Sequence, residues 1–349
     1  KENLSNNEEI FAKVNQLLEK KQSVALFPEA AHSGRRQMLP HKKAIPRIAL
    51  EAEGKNNFKL ELQIIPVGIT YSHYWNFDRT LLVQYGEPVS IENFWFDYEM
   101  SPQKAMMDLR DLIHEKLYPL VIEIRSQKYY NEYETMRLLA GKAASRKKFF
   151  HKGKALQQFK AEKELIEKLE AFETESPEGF SQLIDYVHQY EDNLKTAKCT
   201  DRQVENARKA SKLATPFKIL LALISLPVFT YGFLLNAIPF YIPRALVMRK
   251  IKDKIFTSSF NYVLGLIIFP IFYLIIYLIL FHPRFSTSIS LTLIILIPLL
   301  GKVAYWLLQF YRNLIHECRY LFWSKRNKLK LDILIEKRWI LVELILEKV

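Results

Sequence analysis

The sequence predicts a mixed α/β domain with a partly parallel sheet flanked by helices, then a charged helical linker and a C-terminal α-helical membrane region. Three observations carry this. Two short apolar runs, Ser23–Phe27 and Leu62–Ile69, bracket a helix-patterned stretch; residues 142–214 are dense in charge; and three later runs contain no charged side chain. A strand, a helix and a second strand in that order point to a parallel pair. The corresponding divisions are 1–125, 126–215, 216–310 and a basic amphipathic tail at 311–349.

The strands are read from apolar runs that end at proline or glycine, and Leu81–Tyr85 supplies a third. Between the first two, Ile45, Ile48, Ala49 and Leu50 suit a helix over 44–52. Ser101-Pro102 and Ser176-Pro177 each place a capping residue before a proline in the first turn, which predicts helices over 102–117 and from 177 to about 195. In the linker, Leu156, Phe159, Ile166, Leu169 and Phe172 fall at near-helical spacing among charges. After Tyr320 the tail alternates Lys, Arg and Glu with Leu, Ile and Trp339, as in a helix lying on a membrane or a partner.

The charge-free runs are Ile219–Pro243, Ile255–Phe281 and Phe285–Gly301. A hydrocarbon core of about 30 Å needs about 20 apolar helical residues. The second run meets this, and the third is extended by Val303 to Leu307 beyond a snorkelling Lys302, so 256–281 and 285–307 form a hairpin. The first, over 217–243, is interrupted by Pro227, Pro239 and Pro243, and reads as either a kinked span or a re-entrant segment. Lys195, Lys198, Arg202, Arg208, Lys209, Lys212 and Lys218 precede it, and Arg244, Arg249, Lys250, Lys252 and Lys254 follow it. These flanks place the polar parts in the cytoplasm, as an integral membrane protein whose soluble domain faces that side.

The chain has a formal net charge of +13 over 349 residues. Its basic residues crowd the ends of apolar runs, where anionic lipid headgroups explain them better than nucleic acid does. Cys199 and Cys318, the two cysteines, are far apart and belong to no metal-binding or disulfide pattern. His114, His188 and His316 fall in helical patterns and read as surface or core residues.

The stretch LFPEAAHSGRRQMLPHKKA, 26–44, places Glu29 at the carboxyl end of the first expected strand, where ligands of α/β domains bind. His32, Arg35, Arg36, His41, Lys42 and Lys43 follow it. One acceptor beside a basic cluster suits a ligand with hydroxyl and phosphate groups, and a plain solvated loop is the alternative.

FPEAAHS, followed by LPHKKAIPRIALEAE, resembles the FPEGTRS and PFKKGAFRLALEA segments of glycerolipid acyltransferases, the glycerol-3-phosphate and lysophosphatidate enzymes. IIPVGITYSHYWNFDRTLLVQYGEPVSI is similar to their next block, and the resemblance covers roughly 17–91. It implies transfer of a fatty acyl chain from acyl-CoA or acyl-carrier protein to glycerol 3-phosphate or a related phosphorylated or lysophospholipid acceptor, with no metal or organic cofactor. By that likeness Phe27, Pro28 and Glu29 place the glycerol portion. His32, Ser33, Arg35, Arg36, Lys42 and Lys43 surround the phosphate, and Pro66, Val67 and Gly68 support the acyl-chain groove.

Ala30 and Ala31 replace the usual Gly-Thr, His32 stands where an arginine is usual, and Ala44 replaces a glycine. Family chemistry also uses an H-x4-D pair ahead of the FPEG block, whose histidine deprotonates the acceptor hydroxyl while the aspartate orients it. No histidine precedes Phe27, so the pair is expected upstream of Lys1 and the chain is expected to be a fragment inactive by itself. His73 and Asp78 share the spacing but follow the block, and read as a chance match. The alternative function is a catalytically inactive, acyltransferase-like membrane scaffold.

Overall fold

The computed structural model describes residues 2–31, 33–72, 80–148, 154–208, 213–251, 256–281, 284–322 and 325–348. They form two compact units, one running to Phe180 and the other from Ser181 to Glu347.

In the first unit, α1 (Glu2–Glu19) precedes α2 (Ala44–Lys55), which covers the helix expected at 44–52. Pro46 lies in the first turn of α2, where its missing N–H removes no intrahelical bond. The helix buries Ile48, Ala49, Leu50 and Ala52. Four short strands follow: β1 (Gln63–Ile64), β2 (Val67–Tyr71), β3 (Leu81–Tyr85) and β4 (Val89–Ser90). Then come α3 (Trp95–Met100) and α4 (Pro102–Leu117), the latter at the bounds its Ser-Pro start predicts. Leu50, Phe58, Val89, Ile91, Ala105, Leu109 and Ile113 form the core between α2, α4 and the strand ends. Buried Glu53 organises the turn out of α2, its carboxylate accepting bonds from the N–H groups of Leu60 (3.1 Å) and Leu62 (2.6 Å).

The expected parallel pairing does not occur: β1 pairs with β4 and β2 with β3, both antiparallel. The parallel pair is expected between Ser23–Phe27 and Leu62–Ile69, and the first of these forms no strand. Leu62–Ile69 is split in two because Pro66 has no N–H to continue a ladder. Its carbonyl instead accepts from Gly86 N–H at 2.9 Å, just where the chain changes partner from β4 to β3. Ser23–Phe27 pairs with no strand among the described residues, and Leu26 and Phe27 stand exposed.

Helices α5 (Tyr130–Lys148) and α6 (Lys154–Glu175) pack on each other. Of the linker's expected apolar stripe, Phe159, Ile166 and Leu169 of α6 are buried, as are Tyr133, Met136 and Leu139 of α5, whereas Leu156 is exposed and Phe172 half-buried. Phe180, at the start of α7 (Pro177–Thr196), joins them through ring contacts with Tyr133 and Phe172.

The second unit contains α8 (Asp201–Arg208), α9 (Ala214–Lys250), α10 (Thr257–Ile276), α11 (Thr287–Phe322) and α12 (Lys325–Glu347). Three of these are long and apolar enough to cross a membrane: 214–250, 257–279 and 287–321. Their apolar side chains are mostly exposed, so they are not the buried core of a soluble bundle. Helix α9 runs for 37 residues through Pro227, Pro239 and Pro243. It lies antiparallel to α11, as successive contacts show: Lys218 with Glu317, Ser225 with Tyr311, and Asn236 with the Ile297 carbonyl. The two backbones meet closely at Gly232, beside Leu300 and Ala304, and at Gly301, beside Asn236. Tyr273 of α10 donates to Asn236 Oδ1 at 2.6 Å. Helix α12 packs against α8 and buries Leu331, Leu334, Leu341 and Val342; its Arg338 bonds Asp201 at 2.6 Å.

One glycine of the first unit has no tolerance for a side chain. A Cβ at Gly68 would overlap the carbonyl and Cβ of Leu120, which lies over the β2–β3 hairpin. Gly68→Ala is therefore expected to lower unfolding stability by about 1–3 kcal/mol, read as a reduced denaturant midpoint of the detergent-solubilised chain, whereas Gly265→Ala, whose Cβ would only touch the Phe269 ring at 3.8 Å, does not lower it.

Candidate functional site

The 26–44 stretch folds as an irregular loop whose two ends are fastened together. Lys42 N–H donates to the Pro28 carbonyl at 2.8 Å, bringing the Phe27-Pro28-Glu29 corner beside Lys42 and Lys43. The corner itself needs Ala30 in a left-handed conformation (φ 54°), a geometry glycine adopts at lower cost. Phe27 is exposed and Glu29 half-buried. Ser33 shapes the next turn: its hydroxyl accepts from Arg35 N–H at 3.1 Å and donates to the Arg35 carbonyl at 3.2 Å.

The two neighbouring arginines have opposite fates. Arg35 is exposed, with its guanidinium 4.9 Å from the centre of the Tyr130 ring. Arg36 is buried: its guanidinium donates to the Tyr71 carbonyl at 2.8 Å and pairs with Glu134 at 3.1 Å. Its main chain is held too, Arg36 N–H donating to the Tyr130 hydroxyl (2.8 Å) and its carbonyl accepting from Ile124 N–H (2.7 Å). Glu134 also binds Arg137 at 2.8 Å, and Arg137 pairs with buried Glu162 of α6. Alternating charges thus run from the loop through α5 into α6. Gly141 leaves the room that Glu162 occupies, since a Cβ there would lie 2.7 Å from Glu162 Cγ.

Lys42 and Lys43 are exposed, and the Lys43 carbonyl accepts the first α2 hydrogen bond, from Arg47 N–H at 3.0 Å. Arg35, Lys42 and Lys43 are the loop cations the fold leaves facing outward, while Arg36 is a brace rather than a solvent-facing ligand. Pro66 and Gly68 are buried; Val67 is part of an exposed apolar hairpin face with Ile69, Leu81, Val83 and Tyr85. His32, His73 and Asp78 lie outside the described residues. Among the described residues no group of His, Cys, Asp or Glu has the arrangement to hold a metal ion.

Sequence reasoning missed Tyr130 and Glu134, which lie in α5, 94 or more residues beyond Arg36, with no local sign of a role in the loop. It also missed the pairing of His41 with His114 of α4, whose rings meet edge to face at 4.8 Å. Both ring nitrogens of His41 are buried without a partner. Burial, reinforced by His114 and Arg110 and opposed by Asp111, pushes its pKa down from 6.5 to about 4.

Two outcomes follow from this geometry. Arg36→Met should destabilise the chain by about 1–3 kcal/mol because the Tyr71 carbonyl loses its buried donor and Glu134 is left with Arg137 alone of the two arginines, while Arg35→Met leaves the denaturant midpoint nearly unchanged. Between pH 6.5 and about 4 the unfolded chain takes up a proton at His41 that the folded chain refuses, so stability falls as pH falls across that window. His41→Phe should flatten that part of the acid limb in denaturant titrations at stepped pH.

Residues 1–70 match the family model described as Acyltransferase. An uncharacterized acyltransferase of Schizosaccharomyces pombe is 26% identical over 132 residues, covering 37% of this chain and 18% of that protein. Glycerol-3-phosphate O-acyltransferase 2 of Saccharomyces cerevisiae is 28% identical over 113 residues, covering 32% of this chain and 15% of that protein. The matched segments therefore span less than a fifth of the length of these curated relatives. No solved structure matches the chain. The matched segment holds the fastened loop, both arginines and most of β2, so it is over this N-terminal part that the chain is similar to the acyltransferase family.

Proposed function

We propose that this chain is part of a membrane-bound acyltransferase of phospholipid synthesis. It would move a fatty acyl chain from acyl-CoA or acyl-carrier protein to glycerol 3-phosphate or a related phosphorylated or lysophospholipid acceptor. The observation that carries this reading is the Lys42–Pro28 hydrogen bond within the family-matched segment, which sets a carboxylate corner beside outward-facing cations.

The acceptor's demands explain the arrangement. A glycerol phosphate carries hydroxyls that a carboxylate can accept from and a phosphate that Arg35, Lys42 and Lys43 can bind by charge-assisted bonds. The exposed apolar face of β2 and β3 offers a surface for the acyl chain or the membrane. Proton removal from the attacking hydroxyl belongs, in this reading, to the H-x4-D pair that the family resemblance places ahead of Phe27. The cytoplasmic orientation rests on the basic residues at the end of the bundle shared by the start of α9 and the end of α11.

The test is an acyl-transfer assay on membranes expressing the complete open reading frame that contains this chain. Glu29→Gln and Arg35→Ala should each raise the acceptor KM by roughly 10- to 100-fold, the equivalent of one charge-assisted bond, while leaving the donor KM unchanged. An unaltered acceptor KM in both variants contradicts the assignment of the loop, and absence of transfer by the complete wild-type protein favours the scaffold.

A further inference from the structure

We infer that the second unit carries a binding site for a phosphate-bearing anionic group, of the kind found on an acidic phospholipid headgroup, at the end of the bundle where α9 begins and α11 ends. A cavity of about 210 Å³ opens there, lined chiefly by Lys198, Cys199, Gln203, His316, Arg319 and Leu331. It lies outside the acyltransferase-matched segment and does not depend on the reading of the 26–44 loop.

Depth follows from the α9–α11 register. Lys218 is the last charged residue before the charge-free part of α9, and it binds Glu317 at 2.8 Å. His316 and Arg319 flank that glutamate on α11, so the cavity sits at the boundary between apolar helix and water, where headgroups lie. Its volume is below the range of about 300–1,000 Å³ that holds drug-sized ligands, which suits a compact phosphate group and not an acyl chain.

Charge gives the sign of the ligand. Among the described residues Lys198 and Arg319 line the cavity and no carboxylate does. The acids on the same turns are held by other donors: Glu317 by Lys218 and Thr215, Asp201 by Arg338 and Tyr190, and Asp332 by Tyr320. Arg202, oriented by Asn313 at 3.4 Å, adds a further positive charge nearby. Among the described residues the cavity lining therefore presents two cations with a neutral amide and an imidazole and no carboxylate, which is the chemistry of a phosphate site.

Cys199 makes the site measurable, because it lines the cavity and Cys318 is the one other cysteine. With Cys318→Ser in place, the full chain is reconstituted in phosphatidylcholine nanodiscs, with or without phosphatidic acid in minor proportion, and the rate of maleimide modification at Cys199 is followed. Phosphatidic acid is expected to slow modification about tenfold, and Lys198→Gln with Arg319→Gln to abolish the slowing. Lys198→Arg with Arg319→Lys should preserve it, which separates loss of charge from loss of fold. Lys330→Gln with Lys337→Gln, both exposed on α12, should also preserve it. Inorganic phosphate added to phosphatidylcholine discs distinguishes the source: slowing by phosphate alone assigns the site to a soluble phosphate compound, and its absence assigns it to lipid. Unchanged modification with both probes overturns the proposal, as does equal loss of protection in the Lys330/Lys337 variant.

Discussion

Burial of one cation, Arg36, is the constraint on which the first unit depends. A guanidinium removed from water is costly unless its donors are used and its charge is met. Here the Tyr71 carbonyl and the Glu134 carboxylate do both, and they come from β2 and α5, elements far apart in sequence. Meeting that requirement brings together the motif loop, the hairpin and the helical pair. It also fixes which side of the loop faces out, because adjacent Arg35 is left on the surface over Tyr130. The alternation of charge through Arg137 to Glu162 continues the same logic into α6, where each buried charge has an opposite neighbour.

The second unit solves a different problem with different chemistry. Its helices expose apolar side chains over most of their length, so burial of apolar surface in water cannot be what holds them together. Contacts between α9 and α11 rest on close backbone approach at Gly232 and Gly301 and on the amide of Asn236, which donates to the Gly232 and Ile297 carbonyls. Charge is confined to the end of the pair, where Lys218 and Glu317 meet.

Local signals were legible in the sequence and nonlocal ones were not. Proline placement located the starts of α4 and α7, and charge-free runs located the three long apolar helices, because each depends on residues within a turn or two. Pairing direction was misread: strand, helix, strand suggests a parallel pair only if the first run finds a neighbour, and Ser23–Phe27 finds none among the described residues. Pro66 was the available clue that Leu62–Ile69 could not be one ladder. In the site, the Phe27-Pro28-Glu29 corner and Lys42-Lys43 were visible as motifs and are fastened together. The division of labour between Arg35 and Arg36 was invisible because it is decided by Tyr130 and Glu134, more than ninety residues later. His41, read as one more basic group of the loop, is instead a half-buried ring against His114, a contact set by the packing of α4.

The most direct measurement is a double-mutant cycle on Arg36 and Glu134, using Arg36→Met, Glu134→Leu and the combined variant, with unfolding free energies from denaturant titration. Because Glu134→Leu leaves Arg36 buried without its carboxylate, whereas Glu134 keeps Arg137 when Arg36 is replaced, the losses should be non-additive, with a coupling of about 1 kcal/mol or more and a double variant at least as stable as the Glu134→Leu single variant. Additive losses would contradict the claim that this ion pair braces the motif loop.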